Sequence, residues 1–293
     1  MSATALVKKV SNIFSLPEVV WQVSEILRQP DPDFTELEAV ILHDPGLTAS
    51  ILKLANSSFY SFPGKVDMLT RAISLIGLRA LKGIVIGAAV TRQFKDISSD
   101  LVNMDVFWFH SVTRAILAKD LAIRCQCSQT ERFFIAGLLS SIGKLILYTQ
   151  YPAQSAAIIQ QGKCGEAELA AAERAMFGFD YAELSAELLK AWQLPAEIWE
   201  MIAFQLNPLA AAPRQTLDAC ILHVALSVSS VIQPSVGKEI LDIQTQVSAA
   251  TLEDEVLATL QTQMNEIEVL TQQALYQSMD VLTILRPETM MIF

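Results

Sequence analysis

The chain has 293 residues, of which 52% are hydrophobic and only 18% are charged, so it can bury a large core and is not expected to be disordered. The formal net charge is −10 at pH 7. An acidic surface repels phosphate backbones and no basic tract offsets it, so DNA and RNA are not expected as partners.

The first helix starts are marked by capping residues. In Ser15-Leu16-Pro17-Glu18, Ser15 is predicted to cap a helix, with Pro17 in its first turn and Glu18 completing a capping box. A second helix is predicted from about Phe34 to Leu42, and Asp44-Pro45 predicts the start of the next one, with Asp44 as the N-cap and Pro45 at the first helical position.

Glycines and a polar segment divide the remaining helical pattern. Gly64 is expected to supply a positive φ in a turn, and Gly77 to break the helical stretch Leu69–Phe94. The polar segment Lys95–Asn103 is predicted to join two lobes. The helices predicted after it are Asp105–Cys125, Ser128–Gly137 running into Leu138–Tyr148, Pro152–Gln161, Glu166–Phe177, Tyr181–Trp192, Pro195–Gln205 and Leu217–Ile232.

The C-terminal part is acidic and predicted to end in one long helix. Thr251-Leu252-Glu253-Asp254 resembles an N-cap, and an apolar stripe follows it. The stripe consists of Val256, Leu260, Met264, Ile267, Leu270 and Ala274. Between Pro208 and Phe293 three Lys or Arg face ten Asp or Glu. This acidity suits either contact with a cationic protein surface or an ordinary solvated face.

These patterns predict an all-α protein, because helical periodicity recurs and no stretch alternates as a strand does. We expect an N-terminal helical lobe at residues 1–97, a second helical lobe at 98–233 and a C-terminal helical extension at 234–293.

The cellular location is indicated by the absence of targeting and membrane-spanning segments in the sequence. Met1–Phe14 has no long apolar core or cleavage signal, and the apolar runs elsewhere are too short or interrupted to span a bilayer. We therefore expect a cytoplasmic protein that does not insert into membranes.

The chain has four cysteines: Cys125, Cys127, Cys164 and Cys220. We expect them to be incidental or buried thiols and not zinc ligands or disulfides.

Several short motifs occur in a characteristic order between Ser15 and Ile232. They are Asp44–Thr48, Leu52–Ser57, Ala72–Leu78, Trp108–Ser111, Ala136–Leu145, Gly178–Glu183 and Leu222–Leu226. In this order they resemble the HDOD family, which is associated with bacterial signal transduction. That resemblance implies a multi-helix HDOD fold in which an N-terminal lobe packs on a lobe related to the HD phosphohydrolases.

The resemblance also implies where metal ligands would lie, because the related HD enzymes use histidines and aspartates to hold divalent metals that activate water. His110 matches the first histidine. The expected His-Asp pair is replaced by Ser140-Ser141, a further histidine by Tyr181, and the late aspartate by Leu226. Histidines expected near Ala203–Gln205 are absent. The resemblance therefore implies a degenerate site, with no metal or other cofactor and no catalytic residues.

Other readings of these residues remain open. His43-Asp44 is a literal His-Asp pair, but Asp44 is better explained as a cap and His43 as a helix end. Ser140 or Ser141 with His110 as base would make a hydrolase, although G-x-S-x-G is missing.

Three functions follow from this reading. The first is a non-catalytic regulatory module that binds a signalling protein. The alternative is a metal-dependent HD-type phosphohydrolase. The second alternative is a sensor for a nucleotide or small anion, held in the remnant cleft by His110, Arg114 and Lys144.

Overall fold

The computed structural model describes residues 2–11, 13–60, 62–94, 101–160, 165–233 and 243–286, and the side chain of residue 79 lies outside this description. Within these ranges all regular elements are helical, which confirms the all-α prediction. The α-helices are α1 (Ala3–Val10), α2 (Glu18–Ile26), α3 (Phe34–Leu42), α4 (Pro45–Ala55), α5 (Leu69–Ile76), α6 (Leu78–Gln93), α7 (Met104–Arg124), α8 (Glu131–Leu139), α9 (Ile142–Gln150), α10 (Pro152–Gln160), α11 (Glu166–Phe177), α12 (Tyr181–Ala191), α13 (Ala196–Ala203), α14 (Thr216–Val231), α15 (Ile243–Ser248), α16 (Asp254–Leu260) and α17 (Met264–Leu285), and a 3-10 turn covers Pro208–Ala210.

The chain divides into two compact units. The small unit consists of residues 14–96 and 276–290, and the large unit contains residues 1–13 and 97–275. The units differ from the predicted segments in two respects: α1 belongs to the large unit, and α17 contributes its first half to the large unit and its second half to the small one. The predicted joining segment Lys95–Asn103 lies outside the described residues up to position 100.

Of three local sequence signals predicted for the small unit, two are confirmed and one is wrong. Asp44 caps α4 by accepting a hydrogen bond from the Leu47 amide at 2.9 Å, and Gly77 separates α5 from α6 at φ +83°. The predicted capping box at Ser15 is wrong, because α2 begins at Glu18 with Pro17 as its N-cap and no side-chain cap.

The large unit is built around α7, which is buried along most of its length. Glycine lets its neighbours approach closely: a Cβ on Gly137 would lie 2.6 Å from the Ala115 Cα, and one on Gly143 would lie 2.2 Å from the Tyr181 carbonyl oxygen. These contacts bring α8 against α7 and α9 against α12, and they set the geometry of the site described below.

Two predicted helices of the large unit are interrupted. The continuous run through Ser140 and Ser141 is wrong, because α8 ends at Leu139 and α9 begins at Ile142. The long helix predicted from Thr251 is also wrong, because Gln261 adopts a left-handed conformation (φ +50°) between α16 and α17. The apolar stripe is nevertheless part of the core, since Val256, Leu260, Ile267 and Ala274 are buried.

The stretch Glu131–Gln150 is long and apolar enough to cross a membrane by length and composition. Its apolar window is, however, 83% buried inside the protein. Most of this stretch therefore packs against other parts of the protein.

Candidate functional site

The site begins with His110 on α7, the one histidine that matches the HD pattern. Its Nε2 lies 2.8 Å from the Ile232 carbonyl oxygen, which can only accept, so Nε2 carries the proton. Burial lowers the pKa of His110 to about 4, because the cationic form loses its hydration, and the bond to Ile232 offsets this only in part. His110 is therefore neutral at pH 7 and held by the backbone.

Arg114, one turn further along α7, joins the two serines that replace the His-Asp pair. The side chain is 3% exposed. Its Nη1 donates to the Ser140 and Ser141 hydroxyls at 2.8 and 2.6 Å, and its Nε donates to Ser229 on α14 at 3.1 Å. Burial lowers the pKa of Arg114, yet an arginine stays protonated in proteins. A fixed cation thus lies against Ser140 and Ser141, the positions at which the resemblance to HD enzymes implies metal ligands.

Lys144, Glu166 and Tyr181 form a second polar group from α9, α11 and α12. Lys144 Nζ donates to both Glu166 carboxylate oxygens at 2.7 Å, and the Tyr181 hydroxyl donates to Glu166 Oε2 at 2.5 Å. Lys144 Nζ also lies 4.3 Å from the Tyr181 ring centroid. Burial alone would raise the pKa of Glu166, but Lys144 and Arg114 outweigh it and hold the pKa at about 2.

A second carboxyl of α11, Glu173, is buried beside this group without a cation in contact among the described side chains. It is 2% exposed, and its Oε2 accepts the Tyr181 backbone N–H at 2.7 Å. Burial raises the pKa of Glu173 to about 7, and the Tyr181 bond and Lys144 reduce the effect only in part. Near neutral pH this carboxyl is therefore divided between its charged and neutral forms.

The donor set does not fit a divalent metal. In the part of the chain that the structure describes, no three His, Cys, Asp or Glu side chains cluster as ligands would. Leu226 is buried and offers no donor, and the buried Gln205 donates to the Ser140 carbonyl at 2.9 Å. The Arg114 cation adds repulsion, because a dication beside an unpaired guanidinium is electrostatically unfavourable.

The literal His-Asp pair His43-Asp44 has a structural role at a helix junction, as the sequence predicted. The His43 ring lies 2.7 Å from the Ala39 carbonyl oxygen in the last turn of α3, and Asp44 pairs with Arg92 through contacts of 2.9 and 2.8 Å. The thiols of Cys125, Cys127 and Cys220 are free. Cys164 lies outside the described residues.

The structure adds residues that sequence reasoning missed. Ser229 accepts a hydrogen bond from Arg114, Glu166 accepts from Lys144, and Glu173 accepts from the Tyr181 amide at the start of α12. Glu166 stands in the first turn of a predicted helix, where an acidic residue is ordinary. The sequence alone therefore carries no signal that its carboxylate reaches α9 and α12.

Comparison with known proteins identifies the family. A sequence profile of the HDOD domain matches residues 13–208. The chain belongs to the HDOD family. An uncharacterized protein of Treponema pallidum (strain Nichols) is 22% identical over 215 residues, which cover 73% of this chain. The chain spans only 41% of the length of that relative.

Solved structures share the HDOD fold. A protein of Shewanella amazonensis SB2B, provisionally named a phosphohydrolase, is 23% identical with a TM-score of 0.75, covering 96% of this chain and 98% of that one. A Geobacter sulfurreducens HDOD domain protein of unknown function is 21% identical with a TM-score of 0.66, covering 92% and 97%.

A Marinobacter aquaeolei VT8 protein, provisionally named in signal transduction, is 20% identical with a TM-score of 0.69, covering 94% of this chain and 60% of that one. At these identities the likeness concerns the fold alone.

Proposed function

We propose that this HDOD protein is a non-catalytic regulatory module of bacterial signalling that acts in the cytoplasm by binding another protein. The observation that carries the proposal is the Arg114 guanidinium, which is hydrogen bonded to Ser140, Ser141 and Ser229 where a hydrolase needs metal ligands. A fold carries no activity without its site. Membership of the HDOD family and the signalling name of one structural relative support a regulatory role.

The small unit offers side chains suited to protein contact. Its helices α3 and α5 pack together, and Thr70 of α5 donates to Glu38 of α3 at 2.7 Å. Large apolar side chains on or next to these helices are exposed to 39–61%: Phe34, Leu42, Met68 and Leu75. Exposed apolar side chains are typical anchors of protein interfaces. The net charge of −10 argues against nucleic acid as the partner.

The proposal is tested by crosslinking the full chain to its partners in cells of its source and measuring the affinity of a recovered partner. We expect Phe34→Ser with Leu42→Ser to weaken binding, because each removes an exposed apolar contact at 44% and 53% exposure. The matched control is Ile159→Ser with Met176→Ser, at 38% and 49% exposure in the large unit. Equal affinity for both variants would remove α3 from the proposed interface.

The rival phosphohydrolase requires a metal, and no described residue set supplies its ligands. Metal content and turnover separate it from the regulatory proposal. The rival sensor is supported by a specific observation: no carboxylate among the described residues forms an ion pair with the buried Arg114.

A further inference from the structure

The polar cluster of the large unit contains two cations, and only one of them contacts a carboxylate among the described residues. Arg114 and Lys144 are both cations, and Glu166 is paired with Lys144. Among the described residues no carboxylate forms an ion pair with Arg114, whose bonds all go to serine hydroxyls. Glu166 acts on Arg114 only through space, and Glu173, buried beside the cluster, has a pKa raised to about 7, so the guanidinium has no contacting carboxylate of its own among the described residues. The cluster therefore favours an added anion.

The Arg114 guanidinium also has an unused edge. Its Nε hydrogen and both Nη1 hydrogens have acceptors, but Nη2 donates to no described residue. The residue is only 3% exposed, but Nη2 is not one of its fully buried atoms and keeps some contact with solvent. A guanidinium edge of this kind suits a phosphate or carboxylate oxygen.

Glu166 already shows how an anion is held here. Its carboxylate receives Lys144 Nζ and the Tyr181 hydroxyl at 2.5–2.7 Å. The Glu166 side chain is 21% exposed and that of Lys144 is 12% exposed, so this end of the cluster is open to solvent. Helix α11 buries only Ala170 and Glu173, so little apolar contact opposes a shift of its first turn.

We propose that Arg114, Lys144 and Tyr181 form a binding site for a phosphate group, and that Glu166 occupies part of it as an internal competitor. A phosphate dianion carries the charge that two cations can balance, whereas the Glu166 carboxylate balances one. The ligand is free phosphate or a phosphomonoester, which share this chemistry. The site is independent of the proposed protein interface, so either proposal can fail without the other.

The test uses the full chain, treated with EDTA to remove any metal, and inorganic phosphate as the probe. Calorimetric titrations at constant ionic strength, with chloride as the reference salt, compare wild type, Glu166→Gln and Glu197→Gln. Glu197 is an exposed residue of α13 and controls for the loss of one negative charge. We expect Glu166→Gln to bind phosphate about tenfold tighter than wild type or more, because it loses the competitor and its charge.

Removing the cations should reverse that gain. Arg114→Met or Lys144→Met in the Glu166→Gln background should each return the affinity to the wild-type level or below. Two variants are used because Arg114 is buried and its replacement alone can impair folding. Adenosine monophosphate is titrated in parallel. Tighter binding of adenosine monophosphate identifies a phosphomonoester as the ligand, and tighter binding of inorganic phosphate identifies free phosphate. The inference is wrong if Glu166→Gln binds phosphate no better than Glu197→Gln, or if the double variants retain the gain.

Discussion

The most informative perturbation of this structure is Glu173→Gln. Glu173 is 2% exposed, and its Oε2 accepts the Tyr181 amide at 2.7 Å, a bond that the glutamine amide oxygen can preserve. The substitution therefore keeps the shape and the helix contact, places an amide NH2 where the second carboxyl oxygen stood, and removes the ionisation, so that only the ionisation changes with pH. Because burial raises the pKa of Glu173 to about 7, the wild-type protein loses stability when this carboxyl ionises.

The magnitude follows from proton linkage. The pKa of Glu173 rises from 4.5 to about 7 on folding. Between these values the folded chain binds a proton that the unfolded chain has released, so stability falls by about 1.4 kcal/mol per pH unit from this group. The contribution is fully present below pH 4.5, and roughly 3 kcal/mol of it is lost once the pH exceeds 7.

The assay is urea denaturation of wild type and Glu173→Gln at pH values from 5 to 8.5. His110 acts in the opposite sense, because its pKa falls to about 4 and its contribution is lost as the pH drops below 6.5. His110 is present in both proteins and cancels in their difference. We expect the free energy of unfolding of Glu173→Gln to increase relative to that of wild type as the pH rises, with the gain reaching about 3 kcal/mol above pH 8.

A difference that stays constant across this range would refute the reasoning, since it would show that Glu173 ionises alike in the folded and unfolded chains. Glu166→Gln is the matched control on the same helix. The pKa of Glu166 is held at about 2 by Lys144 and Arg114, so its ionised form stabilises the protein above pH 4.5. Its glutamine variant should be less stable than wild type at pH 7.

Further substitutions test close packing, backbone strain and helix capping. Gly143→Ala should lower the free energy of unfolding by about 3 kcal/mol, because its Cβ would lie 2.2 Å from the Tyr181 carbonyl oxygen. Gly46→Ala should change stability little, because its Cβ would meet two side-chain atoms, the end of Arg92 at 3.1 Å and Asp44 Oδ1 at 3.4 Å; calorimetry compares the two variants. Gly77→Ala should cost about 1–2 kcal/mol from its φ of +83°, and equal melting temperatures for variant and wild type would exclude that strain. Asp44→Ala removes both the α4 cap and the Arg92 pair and should cost about 2 kcal/mol in urea denaturation, while Asp44→Asn, which keeps a cap, should cost less.

Local signals in the sequence predicted local structure well. Asp44-Pro45 fixes the start of α4, and Gly77 marks the break before α6, because a cap and a positive φ depend on one or two residues. Helix α1 was missed because its eight residues gain stability from packing, with Leu6 and Val10 buried and Thr4 bonded to Glu187 of α12 at 2.7 Å. Such support from a distant helix leaves no mark in the neighbouring sequence.

The site was predictable only in part for the same reason. The motif order directs attention to Ser140 and Ser141, and helical spacing from His110 directs attention to Arg114. Their hydrogen bonds, and the break between α8 and α9 that presents both hydroxyls, arise from tertiary contacts. Glu166 reaches Lys144 across 22 positions of the chain, a contact that periodicity cannot reveal.

The structure also determines what restoring a metal site requires. A variant with Ser140→His, Ser141→Asp and Leu226→Asp supplies ligands, but a carboxylate at position 141 would meet Arg114 Nη1, which now lies 2.6 Å from the Ser141 hydroxyl. We expect that variant to form an internal ion pair and bind metal weakly. Adding Arg114→Ala should raise its metal content, which elemental analysis measures. Equal metal content with and without Arg114 would show that the guanidinium does not obstruct the site.

We propose that this HDOD protein has a regulatory site in place of a catalytic one. The most direct test is the metal content of the purified wild-type chain after incubation with manganese, zinc or magnesium and dialysis, with phosphodiester turnover measured on the same sample. We expect no stoichiometric metal and no turnover above that of the buffer. One metal per chain, with both metal and turnover lost in His110→Ala, would contradict it.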